Sequence, residues 1–145
     1  MRAINLRDVL QRTVSDVYGD LVTRRTGAAV RGGIEEEMAG LEGGPTVIDF
    51  GAVRCLDLSC ADEIVAKLVL QYGSWRFLFR GVTPSQRDAL EPVLERHGLA
   101  VALVTAETGK LELLGPNTEA ERLLARLREY GLVAESDGGY RTLLA

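Results

Sequence analysis

Between residues 46 and 104, apolar runs of strand length alternate with helical patterns, and this rhythm constrains the fold more than any other feature. Val47-Ile48-Asp49-Phe50 is the first run. Trp75-Arg76-Phe77-Leu78-Phe79, bounded by Gly73 and Gly81, is the second, and Ala100-Val101-Ala102-Leu103-Val104 the third. Between the first two, Ala61, Ile64, Val65, Leu68, Val69 and Tyr72 recur at three and four residues, which predicts an amphipathic helix over 60–72. Thr83-Pro84-Ser85-Gln86 opens the next helix with a capping residue, a proline in the first turn and Gln three after the cap. Pro92 is expected to kink or split that helix, and His97-Gly98 to close it. Strands joined by helices of this length call for an α/β domain with a largely parallel sheet and right-handed crossovers.

The flanks read less regularly. Ile4 and Leu6 alternate with polar residues as on a strand over 3–7, whereas Val9, Leu10, Val14 and Val17 suit a helix face. From about Thr23 onward a helical face runs through Val22, Ala29 or Val30, Ile34, Met38 and Leu41, and Gly43-Gly44-Pro45 turns the chain. Gly32-Gly33 within this helix implies close packing on the sheet. Lys110 to Leu114 is a further strand after the turn Glu107-Thr108-Gly109. Thr118-Glu119-Ala120-Glu121 reads as a capping box, and Ala120, Leu123, Leu124, Leu127 and Tyr130 line one helix face ending at Gly131. Leu132 to Glu135 and Tyr140 to Leu144, around Gly138-Gly139, form a β-hairpin pattern.

Composition narrows the function classes. The 145-residue chain fits one domain with a sizeable core, and its net charge of −4 lacks the basic footprint of a nucleic-acid binder. Lysine occurs only at 67 and 110, so nearly all positive charge is arginine. Cys55 and Cys60, with a single histidine at 97, are too few to ligate zinc, and a disulfide framework is not expected. The charged N-terminus Met1 to Asp8 lacks the apolar run of a signal peptide, and nothing approaches the ~18 apolar residues of a membrane span. A cytoplasmic protein without membrane attachment is expected. The glycines form neither a phosphate-binding P-loop nor a Gly-x-Gly-x-x-Gly fingerprint, so no cofactor is expected. His97 has no partner acid or nucleophile in sequence, and no acid–base–nucleophile set points to an enzyme.

The chemistry that remains concentrates at Asp57-Leu58-Ser59, where a strand meets a helix. Ser59 has two uses with the same geometry. As a helix N-cap its oxygen would accept a backbone N–H, contributing ~1 kcal/mol. As a phosphoserine it would face free N–H groups and a favourable dipole, with Asp62 and Glu63 repelling it. Cys60 beside the helix start is either a thiol of lowered pKa or a small buried residue. Arg24 and Arg25 open a helix whose C-terminal half carries Glu35, Glu36 and Glu37, and both choices oppose the helix dipole. That conflict fits binding of an acidic partner or phosphate, or a solvated face with Arg31 paired to Glu35.

Asp49 to Glu63, with Asp57-Leu58-Ser59 and the helix start Ala61-Asp62-Glu63, is similar to the central segment of STAS domains, the anti-sigma factor antagonists. It resembles more closely their bacterial STAS-like relatives of unknown function, as do Thr23-Arg24-Arg25-Thr26-Gly27 and Leu90-Glu91-Pro92-Val93-Leu94. The resemblance spans residues 20–105. It implies a STAS-like mixed sheet backed by helices, and a protein partner such as an anti-sigma-like kinase that phosphorylates a serine at the position of Ser59. Leu58 stands where the family motif has its first serine, and Cys60 where a glycine follows.

These readings combine into a STAS-like α/β domain over residues 1–115. A C-terminal helix and β-hairpin over 116–145, packed on the same domain, resemble a truncated winged helix. The expected function is non-catalytic regulation through protein–protein interaction, with Asp57, Ser59, Asp62, Arg24 and Arg25 contacting the partner and Ser59 the phosphorylation candidate. The competing reading is a DNA-associated regulator using residues 118–144. Four arginines against five acidic residues from Glu119 onward argue against phosphate contacts there, leaving closure of the sheet edge or a homodimer contact as the expected use of the extension.

Overall fold

Asn5 turns the first strand into the first helix, its Oδ1 accepting from the backbone N–H groups of Arg7 and Asp8 at 2.9 and 3.3 Å. The computed structural model describes residues 3–14, 20–40 and 44–143. In it, β1 (Ala3–Asn5) passes directly into α1 (Leu6–Thr13), so the strand expected over 3–7 ends at the cap. Val9 and Leu10 of α1 are buried and Val14 is exposed, while Val17 lies outside the described residues. The second helix, α2 (Arg24–Ala39), buries Val30, Ile34 and Met38; Leu41 and Gly43 also fall outside.

Beyond β2 (Thr46–Asp49) comes one helical run in three parts, α3 (Leu58–Ala61), a π-helical turn (Asp62–Ala66) and α4 (Lys67–Tyr72). It begins two residues earlier than the apolar spacing predicts. Trp75 falls in a 3₁₀ turn (Ser74–Arg76) before β3 (Phe77–Arg80), not in the strand. Its ring instead packs on Tyr130, centroids 4.6 Å apart, a contact made by a residue far along the chain. The helix α5 (Pro84–His97) has the expected capping box of Thr83 and Gln86, and its C-cap Gly98 sits at φ 63°, ψ 41°. It runs through Pro92 without splitting. Pro92 and Asp88, whose carbonyl loses its helical donor, both lie on the exposed side of the helix.

The strands β4 (Val101–Val104) and β5 (Leu111–Leu114) complete a five-stranded sheet of order β1-β2-β3-β4-β5, parallel except for β5. The mixed α/β architecture expected from the sequence is therefore present. Sequential strand order with crossovers of one hand puts the connecting helices on one side. Accordingly Ile48, Phe79 and Leu103, in register across the sheet, share a core with α1, α2, α3, α4 and α5. Their neighbours Val47, Leu78 and Ala102 face the opposite way. Parallel strands are apolar on both faces and need a second cover.

That cover is the C-terminal segment: α6 (Asn117–Glu129), β6 (Val133–Ser136) and β7 (Gly139–Thr142). Leu123, Leu127, Leu132 and Val133 form a second core with Val47, Leu78, Ala102 and Leu111. Two details differ from the sequence reading. Thr118 is inside the first turn of α6, whose N-cap is Pro116 without a side-chain cap, so the expected capping box does not form. The hairpin strand β6 is shifted one residue towards the C-terminus, β7 begins one residue early at Gly139, and Leu144 lies outside the described residues. No helix among the described residues is long and apolar enough to cross a membrane.

Candidate functional site: the joint between α2 and α3

Three backbone segments meet at Asp57. The loop after β2 returns beside Leu21, whose N–H donates to the Cys55 carbonyl at 2.8 Å and whose carbonyl accepts from the Asp57 N–H at 2.9 Å. The Asp57 carboxylate then divides its two oxygens. Oδ1 accepts from the Cys60 N–H at 2.8 Å, and Oδ2 accepts from the Thr23 N–H at 2.8 Å. Asp57 is thus the N-cap of α3 and also ties down the start of α2.

This corrects the sequence reading of Ser59 as the cap. Ser59 is the second residue of α3, half-exposed, with its hydroxyl making no hydrogen bond to another described residue. A cap must have non-helical backbone angles, and Asp57 at φ −94°, ψ 172° has them. The Thr23 N–H, 34 residues upstream, adds a second donor that only a carboxylate oxygen at position 57 reaches. Thr23 itself sits at φ 71°, a conformation that costs a β-branched residue of order 1–3 kcal/mol. It caps α2 through Oγ1, which accepts from the Thr26 N–H at 3.4 Å, while its carbonyl accepts from Cys60 Sγ at 3.0 Å.

Asp57→Ala would remove both bonds at once. The expected loss is about 1–2 kcal/mol of stability, at the upper end for a single cap. Asp57→Asn, which keeps one acceptor oxygen, should lose roughly half as much. Urea unfolding followed by circular dichroism reads the difference; equal stability of Asp57→Ala and wild type would show that the joint is held by other contacts.

Burial pushes the Cys60 thiol up to about 12, with the negative charge of Asp57 adding to the effect. Cys60 is therefore a protonated core residue, and of the two readings of this residue the buried one stands. Cys55, by contrast, is exposed.

The π-helical turn following α3 carries the acidic pair. Arg24 Nη1 donates to Asp62 Oδ2 at 2.7 Å and to Glu63 Oε1 at 3.0 Å. Asp62 Oδ1 lies 2.7 Å from His97 Nε2 at the end of α5. Glu63 is only 3% exposed; its Oε1 also accepts from Lys67 Nζ at 2.8 Å, and its Oε2 is 3.5 Å from Arg31 Nε. Arg31 pairs in turn with Glu35 at 3.0 Å, and Glu35 accepts from the Tyr72 hydroxyl at 2.8 Å. Desolvation pushes Asp62 upward, but the bonds from Arg24 and His97 outweigh it and hold its carboxyl below the ordinary value. Glu63 follows the same pattern, its desolvation outweighed by Lys67 and Arg24.

Arg24 therefore opposes the dipole of its own helix because its guanidinium serves two carboxylates on the next one. Arg25 is exposed and has no ionic partner among the described residues. The structure brings Arg24 and Asp62 together and leaves Arg25 apart from them. Sequence reasoning treated Glu63 as a first-turn acid and missed it as the centre of the network; the i,i+4 spacing of Glu63 and Lys67 was the one local signal. Nor do the adjacent glycines of α2 pack on the sheet. A Cβ at Gly33 would lie 2.7 Å from Val9 Cγ1, whereas Gly32 faces open space. Close approach to α3 and the π-helical turn is made instead at Gly27, where a Cβ would lie 3.0 Å from Cys60 Cα and 2.9 Å from Glu63 Cβ.

No protein-family model, curated protein or solved structure matches this chain.

Proposed function

We propose that the protein is a non-catalytic regulatory module of the STAS-like type, which recognises a protein partner through the start of α3 and is gated by phosphorylation of Ser59. The observation that carries this reading is the contrast between Leu58-Ser59 and everything around them. Leu58 is 54% exposed on the first turn of a helix, beside a half-exposed serine hydroxyl. Its neighbours Asp57, Cys60 and Asp62 are all committed to internal hydrogen bonds. A rigid turn that presents one apolar and one hydroxyl side chain suits docking to another protein, with Arg25, unpaired among the described residues, nearby in sequence.

The ion pairs also lessen the objection that Asp62 and Glu63 would repel a phosphate. Both carboxylates are matched by Arg24 and Lys67, which leaves Asp57 as the acid near Ser59 without a cationic partner among the described residues. The hydroxyl of Ser59 is not needed to cap α3, which frees it for modification. A kinase partner and a homodimer both remain compatible with this surface.

Capture from the native host's lysate with wild type, Ser59→Ala and Ser59→Asp as baits tests the reading, together with phosphopeptide mapping of the native protein. A partner held by wild type and Ser59→Ala and released by Ser59→Asp is the expected result. Identical capture by all three, with Ser59 unmodified, would sink the phosphorylation gate.

A further inference from the structure

The second face of the sheet is roofed incompletely. Between β7 and the carboxyl ends of β3 and β4 lies a cleft of about 500 Å³, within the range of small-molecule sites. The carboxyl ends of parallel strands are where α/β folds place ligands. Val47, Leu78 and Val104 close the bottom of the cleft as buried core residues, and Leu143, 59% exposed, gives it an apolar wall.

Its charges are arranged for one anion. Asp49 and Arg80 are directly opposite in the β2–β3 register, and Arg80 Nε and Nη2 both donate to Asp49 Oδ2, at 3.2 and 3.0 Å. The other Asp49 oxygen accepts from the Gly51 N–H at 2.7 Å, so this carboxylate is satisfied within the protein. Arg80 is thereby held in place with Nη1 lacking a hydrogen-bond partner among the described residues. Arg141, on β7, also lines the cleft and makes no side-chain hydrogen bond or ion pair to another described residue. A guanidinium fixed by its neighbour and another left free match a carboxylate or sulfonate oxygen pair. Glu107 at the rim disfavours a second negative charge on the ligand.

The geometry points to a binding site for a small amphiphilic monoanion, its apolar body against Leu143 and the exposed edge of Val104 and its charge between Arg80 and Arg141. This site is separate from the α3 surface and stands or falls independently of the reading given for Ser59.

The dye 8-anilinonaphthalene-1-sulfonate, an apolar ring system with one sulfonate, is a direct probe, read by fluorescence titration. Wild type is expected to bind it saturably at one dye per chain. Arg141→Ala, a surface change without a lost internal partner, should weaken binding about tenfold. Leu143→Glu, which adds a carboxylate at the wall, should abolish the saturable phase. Leu70→Ala, at an exposed leucine on α4, should leave it unchanged. The neutral dye N-phenyl-1-naphthylamine should bind about tenfold more weakly than the sulfonate, because it lacks the charge-assisted bonds. Circular dichroism of each variant confirms that the fold is intact. Absence of saturable binding by wild type, an unaltered affinity in folded Arg141→Ala, loss of binding in Leu70→Ala, or equal affinity for the neutral dye would each overturn the assignment.

Discussion

Gly115→Ala is expected to be the most damaging addition of a single methyl group, lowering stability by about 3–5 kcal/mol. Gly115 joins β5 to α6 at φ 130°, a backbone region that side chains rarely enter. A Cβ there would lie 2.3 Å from the Leu99 carbonyl oxygen and 2.7 Å from Ala100 Cα. Those atoms lead into β4, the strand paired with β5, so neither can yield without disturbing the ladder between Val101 and Leu114. The same turn aims α6 back across the sheet, and misplacing it would uncover Val47, Leu78 and Ala102. Gly138→Ala is the natural comparison. Gly138 also has a positive φ, 74°, but a Cβ there meets nothing within 4 Å, and a loss of only about 1 kcal/mol is expected. Thermal and urea unfolding of the two variants isolates the steric part. Equal losses would mean that the β5–α6 turn is not the fixed pivot described here.

Glu63→Gln is expected to cost about 2–3 kcal/mol at neutral pH. Breaking a fully buried ion pair typically costs ~3–5 kcal/mol, and the figure is reduced here because two of the three cations, Arg24 and Lys67, are about half exposed. The amide keeps the shape of the side chain but leaves Arg31, Lys67 and Arg24 without their shared anion. The effect has a pH signature of definite sign. Glu63 in the folded chain is held below its ordinary pKa, so the unfolded chain takes up the proton first. The stabilisation is complete above the unfolded carboxyl pKa and is lost as pH falls through the folded one. The difference between wild type and Glu63→Gln should therefore be constant from pH 7 down to about 5 and shrink below that. Urea midpoints across pH 3–7 check this. A difference that stays constant at low pH would show that the loss arises from packing, not from the charge.

The prediction for Glu63 bears directly on the candidate site. Glu63 and Asp62 hold α2 and α5 to the helical run that begins at Leu58, so the first turn of that run is anchored from two sides. A partner would meet a preformed surface there, with little chain to order on binding.

Much of this architecture was legible from residues close together in the chain. The apolar alternation of 46–104 marks the strands and helices, and the Thr83–Gln86 box and Gly98 mark the ends of α5, because periodicity and capping involve partners within about four positions. Even the tie between Arg31 and Glu35 is of that kind. What the chain order hid were the partners brought in from elsewhere. Ser59 and Asp57 are equally plausible caps by local chemistry, and the choice falls to Asp57 because the Thr23 N–H arrives beside it. Arg24 is a poor first-turn residue on its own helix, and only the acids of the π-helical turn explain it. Trp75 has the composition of a strand, yet Tyr130 draws it into the packing of α6. The amino-acid sequence by itself determined the elements and an α/β sheet with an apolar second face. The tertiary structure decided what covers that face, which charges are neutralised and which hydroxyl is left free, since burial forces each charge to find its partner on another element.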